Sequence, residues 1–208
     1  LQALVDVIDR VKMSAEAVNR CFVVETMGRY CGYLALMGGL AGGAERVYLH
    51  ETGTSLGDLY KDMEWLRGSF RNGRKLFLAV RSERASENYN TEFLANMLTE
   101  EGKGQFDVRQ AILGHIQQGG SPTPFDRLLA TRLVSRALNL FDEGWESSKP
   151  QSWYLGLSEA QVAHQPLAHM MEHIDPTFRR PLGQWWLQLQ DVFADVSYEP
   201  STPEHSSL

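Results

Sequence analysis

The sequence predicts a three-layer α/β fold, a mainly parallel sheet with helices on both faces. Three observations lead there. Short β-branched apolar runs alternate with longer segments of helical period, the pattern of βαβ units. The strongest of these runs, Phe22-Val23-Val24 and Lys75-Leu76-Phe77-Leu78-Ala79-Val80, are continuously apolar from the second residue or earlier instead of alternating, as strands covered on both faces are. Glycine-bearing loops follow two of the strands, at the strand ends where open α/β sheets bind ligands.

In chain order, Leu4, Val5, Ile8 and Val11 recur at helical spacing and predict a first helix. Phe22-Val23-Val24 is the first strand, with Met27-Gly28-Arg29 just past its end. A helix over 31–40 follows, and its small residues Gly32, Ala35, Gly38 and Gly39 permit close packing on the sheet or on another helix. Arg46-Val47-Tyr48-Leu49 is the second strand. The helix over 56–70 carries a core stripe of Leu59, Met63, Trp65, Leu66 and Phe70. Asn72-Gly73 marks a turn before the third strand, which continues into Arg81-Ser82-Glu83-Arg84. A helix over 91–101 stops at Gly102. Ala111-Ile112-Leu113 is a further buried strand. The helix over 125–141 presents Leu128, Leu129, Leu133, Leu138 and Leu140. Residues 144–150 read as a polar linker, and the runs 153–157 and 162–164 as short closing strands. A terminal helix over 184–193 docks through Trp185-Trp186, and 198–208 has the composition of a disordered tail.

Composition narrows the function. A chain of 208 residues with 43% hydrophobic and 22% charged residues is long enough to bury a core and ordinary for a globular protein. A net charge of -6 argues against nucleic acid as the main partner. Cys21 and Cys31 supply neither a disulfide framework nor a metal site. No basic-then-apolar leader opens the chain, and the longest apolar stretch, 33–44, is too short and glycine-rich to span a bilayer. The expectation is a cytoplasmic protein without a membrane partner.

The most informative stretch is Gly114-His115-Ile116-Gln117-Gln118-Gly119-Gly120-Ser121-Pro122-Thr123-Pro124. A strand runs into glycines and then into a helix start, where Ser121 or Thr123 can cap and Pro124 suits the first turn. Two readings are open at this level. The free N–H groups and positive end of the helix can cradle an anion, with His115 and Gln118 at the mouth. Alternatively, the glycines only allow a tight connection. Glu83, likewise, is either an acceptor for ligand hydroxyls or a solvated loop acid.

Two long motifs decide between these readings. Glu100-Glu101-Gly102-Lys103-Gly104-Gln105-Phe106-Asp107-Val108-Arg109, followed by the glycine turn, resembles 6-phosphofructokinases of the eukaryotic type. Val24-Glu25-Thr26-Met27-Gly28-Arg29-Tyr30-Cys31-Gly32-Tyr33-Leu34-Ala35 resembles the same family's sugar-phosphate loop and following helix. The resemblance runs from Leu1 to about Trp186. It implies that Met27, Gly28 and Arg29, with His115, Ile116, Gln117 and Gln118, line a fructose-phosphate pocket, and that Glu83 binds sugar hydroxyls. It further implies that Arg20, Arg109 and Arg179 reach the phosphate of a sugar bound in a neighbouring subunit or lobe. Guanidinium suits that task through its planar, bidentate fork.

The resemblance also implies what this stretch lacks. The family's Gly-Gly-Asp nucleotide loop and Thr-Ile-Asp-Asn-Asp segment are absent, so ATP and Mg belong to the full enzyme, none is expected on this segment, and no turnover is expected from it alone. The expected assignment is a C-terminal, effector-binding lobe fragment: 1–143 a sugar-phosphate-binding region, 144–195 its closing segment, 196–208 the tail. Its partners would be a fructose phosphate or bisphosphate and other lobes or subunits of an oligomer. Gln118, where the catalytic version carries Arg, favours a lobe sensing fructose 2,6-bisphosphate; Arg29 resembles the catalytic loop instead. A catalytic sugar-binding half and a structural lobe with a degenerate site are the alternatives. A dinucleotide site is not, because Met27-Gly28-Arg29-Tyr30-Cys31-Gly32 lacks the Gly-x-Gly-x-x-Gly turn.

Overall fold

The computed structural model describes residues 1–15, 18–145 and 151–197. Most of the expected linker and the tail beyond 197 lie outside them. The chain divides into two compact units, one of Leu1–Gly119 with Trp185–Leu208 and one of Gly120–Gln184.

The first unit is a four-stranded parallel sheet between two layers of helix. After α1 (Gln2–Ala15) come β1 (Arg20–Thr26), α2 (Tyr33–Gly42), β2 (Arg46–Tyr48), α3 (Leu56–Arg71), β3 (Leu76–Ser82), α4 (Thr91–Gly102) and β4 (Asp107–Ile112). The strand order is β2-β3-β1-β4, so β1 lies between β3 and β4. Register is fixed by alternation of the two faces: Phe22 and Val24 point into one core with Leu4, Ile8 and Leu36, while Cys21 and Val23 point into the other with Leu59, Leu66 and Leu94. A slip of one residue would exchange the two sets. Each fully buried Leu or Ile contributes roughly 1.5–3 kcal/mol, so a few such residues per face hold the layers together.

The small residues of α2 explain how α1 can lie over it. A Cβ on Gly38 would come within 2.1 Å of Leu4 Cδ2, and one on Gly42 within 2.6 Å of Ile8 Cγ2. Ser55 and Asp58 form a capping box at the start of α3. At the end of α4 the left-handed residue is Lys103 (φ 47°), not Gly102, which stays helical and is buried against the Phe106 ring. Of the Trp185-Trp186 pair expected to dock, Trp186 does so, while Trp185 is 58% exposed. Trp186 is buried in the α1–α2 core edge-on to Tyr33, with ring centroids 5.3 Å apart, and precedes a short terminal helix, Leu189–Val196.

The second unit holds α5 (Pro124–Trp145), an antiparallel hairpin of β5 (Trp153–Ser158) and β6 (Gln161–Pro166), and the short pair β7 (Ile174–Asp175) and β8 (Arg180–Pro181). Glu159 and Ala160, both at positive φ, make the two-residue turn between β5 and β6. Arg132 on α5 donates to the Ala160 carbonyl at 2.9 Å and so ties helix to hairpin. The expected leucine stripe of α5 is only partly core. Leu140 is buried, but Leu128 and Leu138 are 66% and 61% exposed, because a two-stranded hairpin is too narrow to cover a 22-residue helix.

Candidate functional site

The candidate site is assembled at the C-terminal end of the parallel sheet by three neighbouring strands. Past the end of β1, Gly28 takes φ 130°, and a Cβ there would lie 2.4 Å from the Cys31 carbonyl oxygen. Only glycine fits both the conformation and the space. Past β3, the Glu83 amide donates to the Thr26 carbonyl at 3.0 Å, carrying the strand pairing one residue beyond the ladder. Past β4, the Leu113 amide donates to the Glu25 carbonyl at 3.1 Å, and the chain then coils into a single 3-10 turn, Gly114–Gln118. The turn is stitched to the first loop by Gln117, whose Oε1 accepts the Met27 N–H at 2.7 Å.

Met27, Gly28, Arg29, Glu83, His115, Ile116, Gln117 and Gln118 therefore converge on one rim. Arg29 Nε lies 3.8 Å from Glu83 Oε1, with side chains 71% and 32% exposed. Such a long, wet ion pair is weak, so either group can exchange it for a ligand. His115 and Gln118 are exposed beside it, and Ile116 is 72% exposed. A guanidinium, an imidazole, an amide and a carboxylate around one rim suit a ligand that carries both an anion and hydroxyl groups. Among the described residues, no group of three His, Cys, Asp or Glu is placed to hold a metal ion.

Sequence reasoning missed what lies beneath the rim. Arg81 is buried and donates to Glu25 Oε2 at 2.6 Å, to Thr91 Oγ1 at 2.7 Å and to the Tyr89 carbonyl at 3.3 Å. Thr91 also donates to Glu25. Burial pulls the Arg81 guanidinium below its ordinary pKa, and the adjacent Glu25 carboxylate opposes that pull. The cluster joins β1, β3 and the start of α4 directly under the loops. The available signal was an arginine continuing an apolar strand, a residue type that has to find a partner when buried. Beside the rim, Arg84 donates to the Tyr30 hydroxyl at 2.9 Å and lies over its ring, and Tyr30 meets His50 edge-on. Glu51 accepts the Gly32 amide N–H at 2.9 Å, so a carboxylate of the chain itself serves the start of α2.

The helix-start cradle is corrected. Thr123, not Ser121, caps α5, and Asp126 closes the box by accepting the Thr123 N–H at 2.8 Å and its hydroxyl at 2.7 Å. These bonds hold the Asp126 carboxyl below its ordinary pKa, the hydroxyl contact contributing most. A helix start already served by its own carboxylate is a poor site for another anion. Gly119 is extended (φ -89°) and only Gly120 takes positive φ, at 98°.

Arg20 and Arg109 lie elsewhere on the sheet. Arg20 opens β1, opposite Asp107 at the start of β4. Asp107 Oδ2 lies 2.9 Å from Arg109 Nη2 and 3.6 Å from Arg20 Nε. Arg20 thus stands a full seven-residue strand, about 20 Å, from the rim, with Arg109 near the same end of the sheet. Arg179 belongs to the second unit, at φ 52° between β7 and β8, with its amide donating to the Asp175 carbonyl at 2.8 Å.

The phosphofructokinase profile matches residues 1–141. The ATP-dependent 6-phosphofructokinase of Dictyostelium discoideum is 39% identical over 96% of the chain and 24% of its own length. The human muscle-type enzyme is 38% identical over 100% of the chain and 28% of its own. The solved phosphofructokinase of Saccharomyces cerevisiae superposes with a TM-score of 0.88 at 32% identity, over 94% of the chain and 27% of that protein. The chain spans about a quarter of the length of these relatives.

Proposed function

The chain belongs to the phosphofructokinase family, and we propose that its rim of Met27–Arg29, Glu83 and His115–Gln118 is a fructose-phosphate site that senses fructose 2,6-bisphosphate for a 6-phosphofructokinase. The observation that carries this reading is the Gln117 to Met27 bond, which brings two loops 90 residues apart in sequence onto one rim with Arg29 and Glu83. In this reading His115 and Arg29 take phosphate, Glu83 accepts sugar hydroxyls, and Gln118 leaves room where a catalytic site would place a second cation. Arg20, Arg109 and Arg179 serve a ligand held by a neighbouring lobe or subunit of an oligomer. ATP and Mg act in parts of the parent enzyme beyond this quarter, where phosphoryl transfer from ATP to fructose 6-phosphate takes place in glycolysis.

Arg29 favours a second reading, a catalytic sugar site for fructose 6-phosphate. Thermal protection separates the two, since a ligand that binds only the folded chain raises its stability by mass action. Fructose 2,6-bisphosphate should raise the melting temperature most, fructose 6-phosphate less, and inorganic phosphate at equal concentration least. Stronger protection by fructose 6-phosphate would favour the catalytic reading. Equal protection by all three would leave only a generic anion site.

A further inference from the structure

Gln117 turns its side-chain amide inward from the rim. Its Oε1 is committed to the Met27 N–H, a donor that fixes which end of the amide points there. Its Nε2 is buried and has no hydrogen-bond partner. The flanking His115, Ile116 and Gln118 are all exposed. Met27 follows the last residue of β1 and precedes Gly28, so its amide falls outside the strand ladder, and among the described residues its hydrogen-bond partner is Gln117.

We propose that Gln117 is a positioning residue. It contacts no ligand and instead fixes the Met27-Gly28-Arg29 loop, and through it the place from which the Arg29 guanidinium meets an anion. Its effect on ligand affinity rests on the fructose-phosphate reading above, whereas its hold on the loop does not. The geometry also explains why a side chain would be kept with Nε2 unpaired: a carboxylate could make the same bond to Met27 but would bring a negative charge beneath an anion site.

Amide hydrogen exchange on the ligand-free chain tests this directly. In Gln117→Met, which keeps the length and loses the acceptor, the Met27 amide should exchange about tenfold faster, the loss of one hydrogen bond. The Val23 and Val24 amides should keep their wild-type rates. In Gln117→Glu, which retains an acceptor oxygen, Met27 should exchange as in wild type. The proposal is overturned if Met27 is unchanged in Gln117→Met, if Val23 and Val24 accelerate by the same factor, or if Gln117→Glu behaves like Gln117→Met. Affinity for fructose 2,6-bisphosphate should fall in Gln117→Met in parallel with the exchange, and unchanged affinity despite faster exchange would also overturn it. A wild-type chain that binds no fructose phosphate would sink the ligand assignment alone, and the Met27 exchange would still decide the role of Gln117.

Discussion

Arg81 makes the sharpest statement at the level of single residues, since a guanidinium 1% exposed has lost its hydration and depends on Glu25, Thr91 and the Tyr89 carbonyl in its place. Replacing it alone strands the Glu25 carboxylate, whose side chain is 18% exposed. Arg81→Met should therefore cost about 3 kcal/mol, and the double variant Arg81→Met with Glu25→Gln should recover much of that cost. Urea unfolding of the four members of the cycle measures it, and additive losses would show that the pair is not coupled. The pair also marks what could not be read from the sequence. Glu25 and Arg81 are 56 residues apart, and only strand register, Glu25 beside Arg81 on β1 and β3, makes them neighbours. Gly28 was legible because its loop carried a long family motif. Gln117 was legible as a member of the turn, but its inward direction depends on a backbone amide that no side-chain pattern reports.

At the level of elements, α5 shows where local and tertiary signals part. Its start follows from Thr123, Pro124 and Asp126, residues whose capping chemistry is local. Its environment does not follow, because leucines at helical spacing specify a face without saying how much of it is covered. The cap gives a pH signature. Asp126 has a lowered pKa in the folded chain, so its contribution is present above the unfolded carboxylate value, about 3.9, and is lost as pH falls through the still lower folded value. Amides in the first turn of α5 should lose protection in that acid window, before β1 amides do. Thr123→Ala should remove the dependence and cost about 1 kcal/mol of stability. First-turn protection that is flat through the window would mean that Asp126 does not close the cap. By contrast, β1 and β3 were readable to within two residues, because burial on both faces leaves an unbroken apolar run, whereas β4 (Asp107–Ile112), at the edge of the sheet, begins four residues before the expected buried strand at 111–113 and leaves Ile112 exposed.

Apart from Arg179 in the second unit, the candidate phosphate residues stand at two ends of one sheet, and this separation has a functional consequence. His115 and Arg29 stand on the rim past the C-terminal ends of the strands, while Arg20 and Arg109 stand near the N-terminal ends, paired with Asp107. About 20 Å of strand lies between Arg20 and the rim and about 13 Å between Arg109, in register with Phe22, and the rim, so a single sugar phosphate on the rim does not reach Arg20 and Arg109 together. If both sets bind phosphate, the second must act on a ligand held by a neighbour, and affinity then depends on how the two bodies are arranged. That dependence is the condition for allosteric coupling. In a parent enzyme containing this segment, His115→Ala should weaken binding of fructose 2,6-bisphosphate without changing the steepness of the response. Arg109→Ala should weaken binding and also lower the Hill coefficient if Arg109 meets a neighbour's ligand, because the substitution would then remove a contact between bodies. Each loss should be about 1.5–3 kcal/mol, the range for a hydrogen bond to a charged group. The Asp107 carboxylate supplies an internal control: it pairs with Arg109 at 2.9 Å, so Asp107→Asn should free the guanidinium and tighten binding. Equilibrium titrations of the three variants decide the matter. If Arg109→Ala leaves both affinity and steepness intact, its pairing with Asp107 is its whole role and the two ends of the sheet are uncoupled.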